Sequence, residues 1–228
     1  MTVHLIKHAA EDADVAFAAR VSTLGGETRF NEVSDKDSGL INYLMRDRHG
    51  SPFEHTSFTF YIEAPIFVAR EFMRHRTGWS YNEESARYKE LEPVFYVPED
   101  GRPLRQVGKP GAYSFELGTY KQFMCVSGDI RRVSSEAYST YKRLLDLEVA
   151  REVARMVLPV NIYTSFYATC NARSLMHFLG LRTKSDAAKF PSFPQREIEM
   201  VAEQMEDHFS FQMPHTWVAF QNNGRVAP

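Results

Sequence analysis

Fifteen residues concentrate the side chains most suited to chemistry: Arg74-His75-Arg76-Thr77-Gly78-Trp79-Ser80-Tyr81-Asn82-Glu83-Glu84-Ser85-Ala86-Arg87-Tyr88. The stretch opens on three adjacent groups that carry or can carry positive charge and closes on an arginine beside a tyrosine. Gly, Trp, Ser and Asn between them suit a loop better than a helix interior. Like charges this close repel by about 1 kcal/mol or more per pair at surface dielectric, and a bound anion relieves that. Arginine forks match phosphate oxygens bidentately and stack on flat rings. The chemistry expected is capture of an anion that carries a flat ring. The plain alternative is a solvated basic turn. Ser85 and Arg87, with loop amides, make a sensible phosphate cradle. No base stands beside Ser85 in sequence, so binding fits it better than nucleophilic attack.

Other candidates lie downstream and upstream. Arg173 and His177 are four residues apart and share a helix face, and Arg182 follows just past the expected helix end. Arg155 stands among Ala154, Met156 and Val157, where it either snorkels or serves a site. Glu71 lies one helical turn before Arg74, placed to pair with it or to reach a ligand. His49 stands near Ser51, Glu54 and His55. The histidines are scattered without a ligand set, so no metal is expected. Cys125 and Cys170 have no CxxC spacing and no adjacent activating pattern.

The elements that must position these groups read coarsely. Leu5 to His8 is a short strand, and Asp12 to Ala19 a helix. Ser34 with Asp37 resembles a helix cap, followed by an apolar face of Leu40, Ile41, Leu44 and Met45. Thr56 to Ile62 alternates as a strand does, with Phe58, Phe60 and Ile62 on one face. Pro65 opens a helix bearing Ile66, Ala69, Arg70 and Met73 that runs directly into Arg74. Phe95 to Pro98 is a short strand, and Glu99 to Gly111 a mobile surface loop. Ala112 to about Val157 reads as mostly helical, with Gly128 a possible interruption and Pro159 the stop. Ile162 to Ala168 is strand or extended turn. Asn171 caps a helix over Ala172 to Leu179 that Gly180 ends. Ile198, Val201, Ala202, Met205 and Phe209 mark a last amphipathic helix, and Trp217, Val218 and Phe220 an apolar tail that docks.

Composition bounds the function. The chain has 228 residues, 43% hydrophobic and 25% charged, with a formal net charge of -2. These are ordinary globular values. No apolar run reaches membrane-spanning length, and Met1 to His8 lacks a secretory core. With its two cysteines the chain fits a reducing, cytoplasmic setting. The near-neutral charge disfavours an RNA-binding module, the rival class for a basic-aromatic loop. There is no strand-Gly-rich-turn-helix signature of a dinucleotide fold. The expectation is one α+β domain over residues 1–228, with long helices on a small, mainly antiparallel sheet.

Taken together, the motifs resemble the flavin-dependent thymidylate synthases. That family carries an Arg-His-Arg triplet followed by a serine, and eight residues separate Arg76 from Ser85 here. His49-Gly50-Ser51-Pro52-Phe53-Glu54-His55-Thr56, Ala154 to Pro159 and Asn171 to Arg182 are similar to further family blocks in order and spacing. The resemblance implies a ThyX-like fold. It implies reductive methylation of dUMP to dTMP, with methylenetetrahydrofolate giving the carbon and FAD, reduced by NADPH, giving the hydride. FAD would be held by Ser51, Arg74, His75, Arg76, Glu83, Asn171, Arg173 and His177. The nucleotide would be held by Glu71, Arg74, Glu83, Glu84, Ser85, Ala86, Arg87, Arg155 and Arg182. Arg182 would be catalytic, favouring ionisation of the uracil ring N–H. The family often has glutamine at Glu71, and some members have asparagine at His177. It also implies a homotetramer with shared sites. A flavin reductase without methyl transfer is the nearest enzymatic alternative.

Overall fold

The computed structural model describes residues 1–25, 35–109 and 112–228, leaving aside the side chains of Asp35 and Ala112. Ser34, the expected helix cap, lies outside them. Two compact units emerge: Met1–Ala64 with Val68–Glu83 and Ser165–Pro228, and Pro65–Phe67 with Glu84–Thr164.

The first unit is built on a four-stranded sheet in the order β1-β2-β6-β3. Its strands are β1 (Thr2–Ala9), β2 (Ser57–Pro65), β3 (Trp79–Glu83) and β6 (Tyr163–Cys170). β1 runs antiparallel to β2, and β3 antiparallel to β6 with Trp79 opposite Cys170. Phe58, Phe60 and Ile62, the apolar face read from β2, are fully buried. Helix α7 (Arg196–Gln212) covers them, and Phe209 meets Phe58 edge-on at 6.1 Å. The stripe read for this helix is buried at every position: Ile198, Val201, Ala202, Met205 and Phe209. Helices α1 (Asp12–Leu24), α2 (Asp35–Arg46) and α8 (Pro214–Asn222) pack around one another. The apolar tail is thus a helix. Buried Asp12 caps it, accepting from the backbone N–H groups of His215 and Thr216 at 2.9 and 2.8 Å.

Two local expectations change. Trp79 to Glu83 is a strand and not loop, because its backbone completes the ladder on β6. Helix α6 (Ala172–Arg182) does not stop at Gly180. A Cβ there would sit 2.7 Å from the Arg225 carbonyl oxygen, so glycine serves close packing of the tail. Buried Arg225 holds that tail by a two-pronged pair to Glu206 at 2.6 and 2.7 Å.

In the second unit, Arg105–Lys109 (β4) and Ala112–Glu116 (β5) pair antiparallel as a two-stranded sheet. They were expected as loop and helix. Helix α4 (Tyr120–Asp146) starts at Thr119 with a reciprocal cap to Gln122 and passes through Gly128 unbroken. It ends at Leu147, followed by Glu148 at φ 59°, well before Pro159. A short helix α5 (Arg151–Ala154) and a 3-10 turn (Arg155–Val157) complete the run. Phe95 makes only a single bridge, to Ile162.

Candidate active site

Helix α3 (Ile66–Phe72) ends just before the basic triplet, and its last turns lie on the sheet through buried Val68, Ala69 and Phe72. Phe72 stacks on Phe178 of α6 at 4.7 Å and meets Phe166 of β6 edge-on at 5.4 Å. This aromatic wedge ties the end of α3 to α6. The triplet therefore leaves a rigid platform, as a pre-organised site needs.

The three members of the triplet differ in environment. His75 is buried, while Arg74 and Arg76 are exposed. Tyr81 fixes the turn: its hydroxyl lies 2.9 Å from the Phe72 carbonyl oxygen and 3.0 Å from that of His75, and donates to them. Trp79 stacks parallel on Tyr81 at 5.7 Å and packs on Phe178. Burial also pushes the Tyr81 phenol well above its ordinary range, so it stays a donor.

Arg182, at the end of α6, closes over this turn. Its NH1 pairs with Glu71 Oε2 at 2.7 Å, and its Nε donates to His75 Nε2 at 3.1 Å. Glu71 thus pairs with Arg182, not with Arg74 as one helical turn of spacing suggested. Because His75 Nε2 accepts, the imidazole carries its proton on Nδ1. Burial lowers its pKa to about 4, and the charges of Arg182, His177 and Arg74 add to the effect. His177 is exposed, its ring 6.2 Å from that of His75.

A buried neutral histidine makes acid stability testable. The folded pKa is depressed, so its contribution is complete above the unfolded value of 6.5 and is lost as pH falls toward about 4. The full loss is about 3 kcal/mol at 1.36 kcal/mol per unit. Urea unfolding between those limits is expected to show that slope in the native chain and a flattened one in His75→Gln. Equal slopes would rule out His75 as the titrating group.

Asn171 caps α6, its side-chain oxygen accepting from the Ser174 N–H at 2.8 Å. Ser174 Oγ donates to the Thr77 carbonyl at 3.0 Å and so pins the turn. Arg173 donates to Glu54 Oε1 at 2.5 Å and to the Pro228 carbonyl at 2.6 Å. Ser51 opens a 3-10 turn (Ser51–His55) and, with His49, His55, Tyr43 and Arg20, lines a cleft of about 580 Å³. Glu83 is the exposed last residue of β3.

The second unit holds the remaining candidates. Ser85 starts a turn: its carbonyl accepts from Tyr88 and Lys89, and its Oγ from the Arg87 N–H at 3.3 Å. Ala86 is buried against Leu91 and Ile162, which anchors the turn. Glu84 pairs with Lys89 at 2.7 Å. Arg87 lies over the Tyr88 ring at 5.7 Å and reaches Glu152 of α5 at 3.4 Å. Arg155 follows α5 directly and is exposed on the 3-10 turn, not buried mid-helix. Snorkelling along an apolar helix face is therefore not its setting.

Among the described residues the guanidinium groups of Arg74 and Arg76 make no hydrogen bond or ion pair, although both residues flank a buried, well-fixed histidine. Unpaired guanidinium groups on a rigid turn fit a ligand with a pyrophosphate. Sequence reasoning gave no role of their own to Tyr81, Glu54, Ser174 and Phe178. The signal for Tyr81 was its place two residues past Trp79 on one strand face.

Comparison with known proteins agrees across the whole chain. Residues 4–215 match the family profile described as thymidylate synthase complementing protein. A flavin-dependent thymidylate synthase from Streptomyces coelicolor is 61% identical over 231 residues, covering 100% of this chain and 94% of that protein. One from Tropheryma whipplei is 56% identical over 229 residues, covering 100% and 95%. A crystal structure of the UMP/dUMP methylase PolB from Streptomyces cacaoi, bound with 5-Br dUMP, superposes with a TM-score of 0.94 at 53% identity, covering 100% of this chain and 97% of that one. The same methylase bound with 5-Br UMP gives 0.92. The α+β architecture with a small antiparallel sheet is thus that of this group. With the triplet, the serine and the α6 block all in place, the chain belongs to the thymidylate synthase complementing protein family, that of the flavin-dependent thymidylate synthases.

Proposed function

We propose that this chain catalyses reductive methylation of dUMP to dTMP, with methylenetetrahydrofolate as carbon donor and FAD, reduced by NADPH, as hydride source. The observation that carries the reading is the Arg182 guanidinium fixed on His75 of the basic triplet, in a chain so similar to flavin-dependent thymidylate synthases. FAD is assigned to Ser51, Arg74, His75, Arg76, Glu83, Asn171, Arg173 and His177. When bound, the flavin supplies hydride.

The chain's own groups bind, orient and polarise. Arg182 stabilises negative charge on the pyrimidine ring and so favours loss of its ring proton. Neutral His75 accepts from Arg182 Nε and holds the guanidinium plane. Ser85, Arg87 and Arg155 take the 5′-phosphate, with the Ser85 turn offering amides alongside the hydroxyl. Glu71, Arg74, Glu83, Glu84 and Ala86 complete the nucleotide contacts. We take both compact units as one functional domain, residues 1–228, acting in the cytoplasm as a homotetramer that shares its sites. No helix is long and apolar enough to cross a membrane among the described residues.

Purified protein is expected to be yellow and to release tritium from 5-tritiated dUMP when NADPH and the folate are present. Flavin without tritium release would leave a reductase, and colourless protein that binds RNA would sink the reading.

The cysteines separate this chemistry from the thymidylate synthase class that uses a thiol nucleophile. Cys170 is buried and burial raises its thiol well above the ordinary value; Cys125 is exposed on α4. A Cys125→Ala, Cys170→Ala double variant is expected to keep tritium release within about a factor of two. A folded, flavin-loaded but inactive double variant would refute it.

A further inference from the structure

The pairing of Arg182 points beyond binding. Its guanidinium is engaged from one side only: NH1 to Glu71 Oε2 at 2.7 Å, Nε to His75 Nε2 at 3.1 Å, and NH2 to the Glu71 carbonyl oxygen at 3.5 Å. Three guanidinium nitrogens are thus gripped from the end of α3 and the turn after it. A guanidinium carries five N–H donors, so the remaining ones stay available on the open side. The Arg182 side chain keeps 19% of its exposure there. The titratable groups that contact it are Glu71 and His75, and its charge acts on His75 together with those of His177 and Arg74. His75 is neutral, so Glu71 is the group that directly offsets Arg182.

We propose that Glu71 is a positioning and specificity-determining residue: its carboxylate aims the Arg182 guanidinium and offsets its charge, and so sets how strongly the site selects a pyrimidine ring able to give up its N3 proton. The inference rests on the assignment of Arg182 to the pyrimidine ring. A carboxylate this near disfavours a second anion on the same guanidinium, which lowers the preference for an ionised ring. Glutamine has the same shape and keeps an oxygen to accept from Arg182 NH1. The substitution Glu71→Gln therefore removes charge while keeping aim. Glu71→Asp keeps charge and shortens reach.

The test is calorimetric titration of flavin-loaded protein with dUMP and with 5-bromo-dUMP, near neutral and at mildly alkaline pH. Bromine at C5 withdraws electrons and makes N3 more acidic. Glu71→Gln is expected to bind 5-bromo-dUMP about tenfold more tightly at alkaline pH, the equivalent of one pKa unit. Any loss of Glu71's own contact with the nucleotide lowers both affinities alike, so the ratio of 5-bromo-dUMP to dUMP affinity isolates the charge effect. Glu71→Asp keeps the charge and is expected to keep the native ratio between the two nucleotides; should the glutamine variant fold poorly, Glu71→Ala supplies the charge-free readout, with the same rise expected for 5-bromo-dUMP over dUMP. A purely structural role would shift both nucleotides equally. Equal shifts, no shift, or an aspartate variant that loses the ratio would overturn the inference while leaving dUMP binding intact. Native protein that binds neither nucleotide would sink the functional reading, and this inference with it.

Discussion

Arg182→Ala is expected to lower kcat/KM for dUMP methylation about 10³-fold, the scale of losing a donor aimed at developing charge. Two roles end together. The pyrimidine loses the group that stabilises its anion, and Glu71 and His75 lose the partner that links them. Flavin content is expected to stay native, because Asn171, Arg173 and the triplet remain. Arg182→Lys keeps the charge but offers one ammonium in place of the fork, so its activity is expected between the two. The loss should appear mainly in kcat if Arg182 acts on the charged ring, and mainly in KM if it only holds neutral uracil. The same variant carries an independent marker. Arg182 helps depress His75, so its removal moves the imidazole pKa up from about 4 toward 6.5. The acid-side loss of stability then shrinks relative to the native chain. An Arg182→Ala protein with native turnover would contradict the assignment. Native turnover with a shifted acid profile would leave the structural cluster and remove its catalytic meaning.

Residue type and spacing made the basic triplet, Ser85, Arg87 and the α6 block legible, because clustered cations beside hydroxyls are a poor way to make a core. The strand alternation of β2 and the apolar stripe of α7 were legible for the same reason: period and burial coincide there. What stayed hidden depends on contacts far apart in sequence. β3 is a strand only because β6 lies alongside, and its polar residues carry little strand signal of their own. Glu71 spaced for Arg74 chose Arg182, more than a hundred residues away, since the end of α6 comes back to α3. Gly180 looked like a helix stop and is instead a notch for the Arg225 carbonyl. Tyr81 carries no motif, yet it holds the carbonyls at both ends of the turn that presents His75. Local pattern identifies ligand-seeking groups; their aim comes from tertiary packing.

Gly78→Ala is expected to have the second large effect, although no side chain is lost. Gly78 has φ +69°, in the left-handed region, and a Cβ there would lie 2.1 Å from Ser174 Oγ and 3.2 Å from Asn171 Nδ2. The backbone strain alone costs about 1 kcal/mol for a residue with a Cβ. The collision adds more, because Ser174 Oγ cannot move away without giving up the Thr77 carbonyl, and Asn171 caps the same helix end. Either Ser174 Oγ gives up the Thr77 carbonyl or the joint between the basic turn and α6 opens. Stability is expected to fall by about 2–3 kcal/mol in urea unfolding, within the range for strain at a special backbone position. Flavin affinity is expected to fall more than about tenfold, since a misplaced turn loses the pre-organisation of its arginines. Adding Ser174→Ala removes the 2.1 Å collision and leaves the backbone strain, so the double variant should recover part of both losses. That recovery separates the steric joint from a general intolerance of alanine. A single variant that is less stable but keeps native flavin affinity would show that the joint serves the fold and not the cofactor.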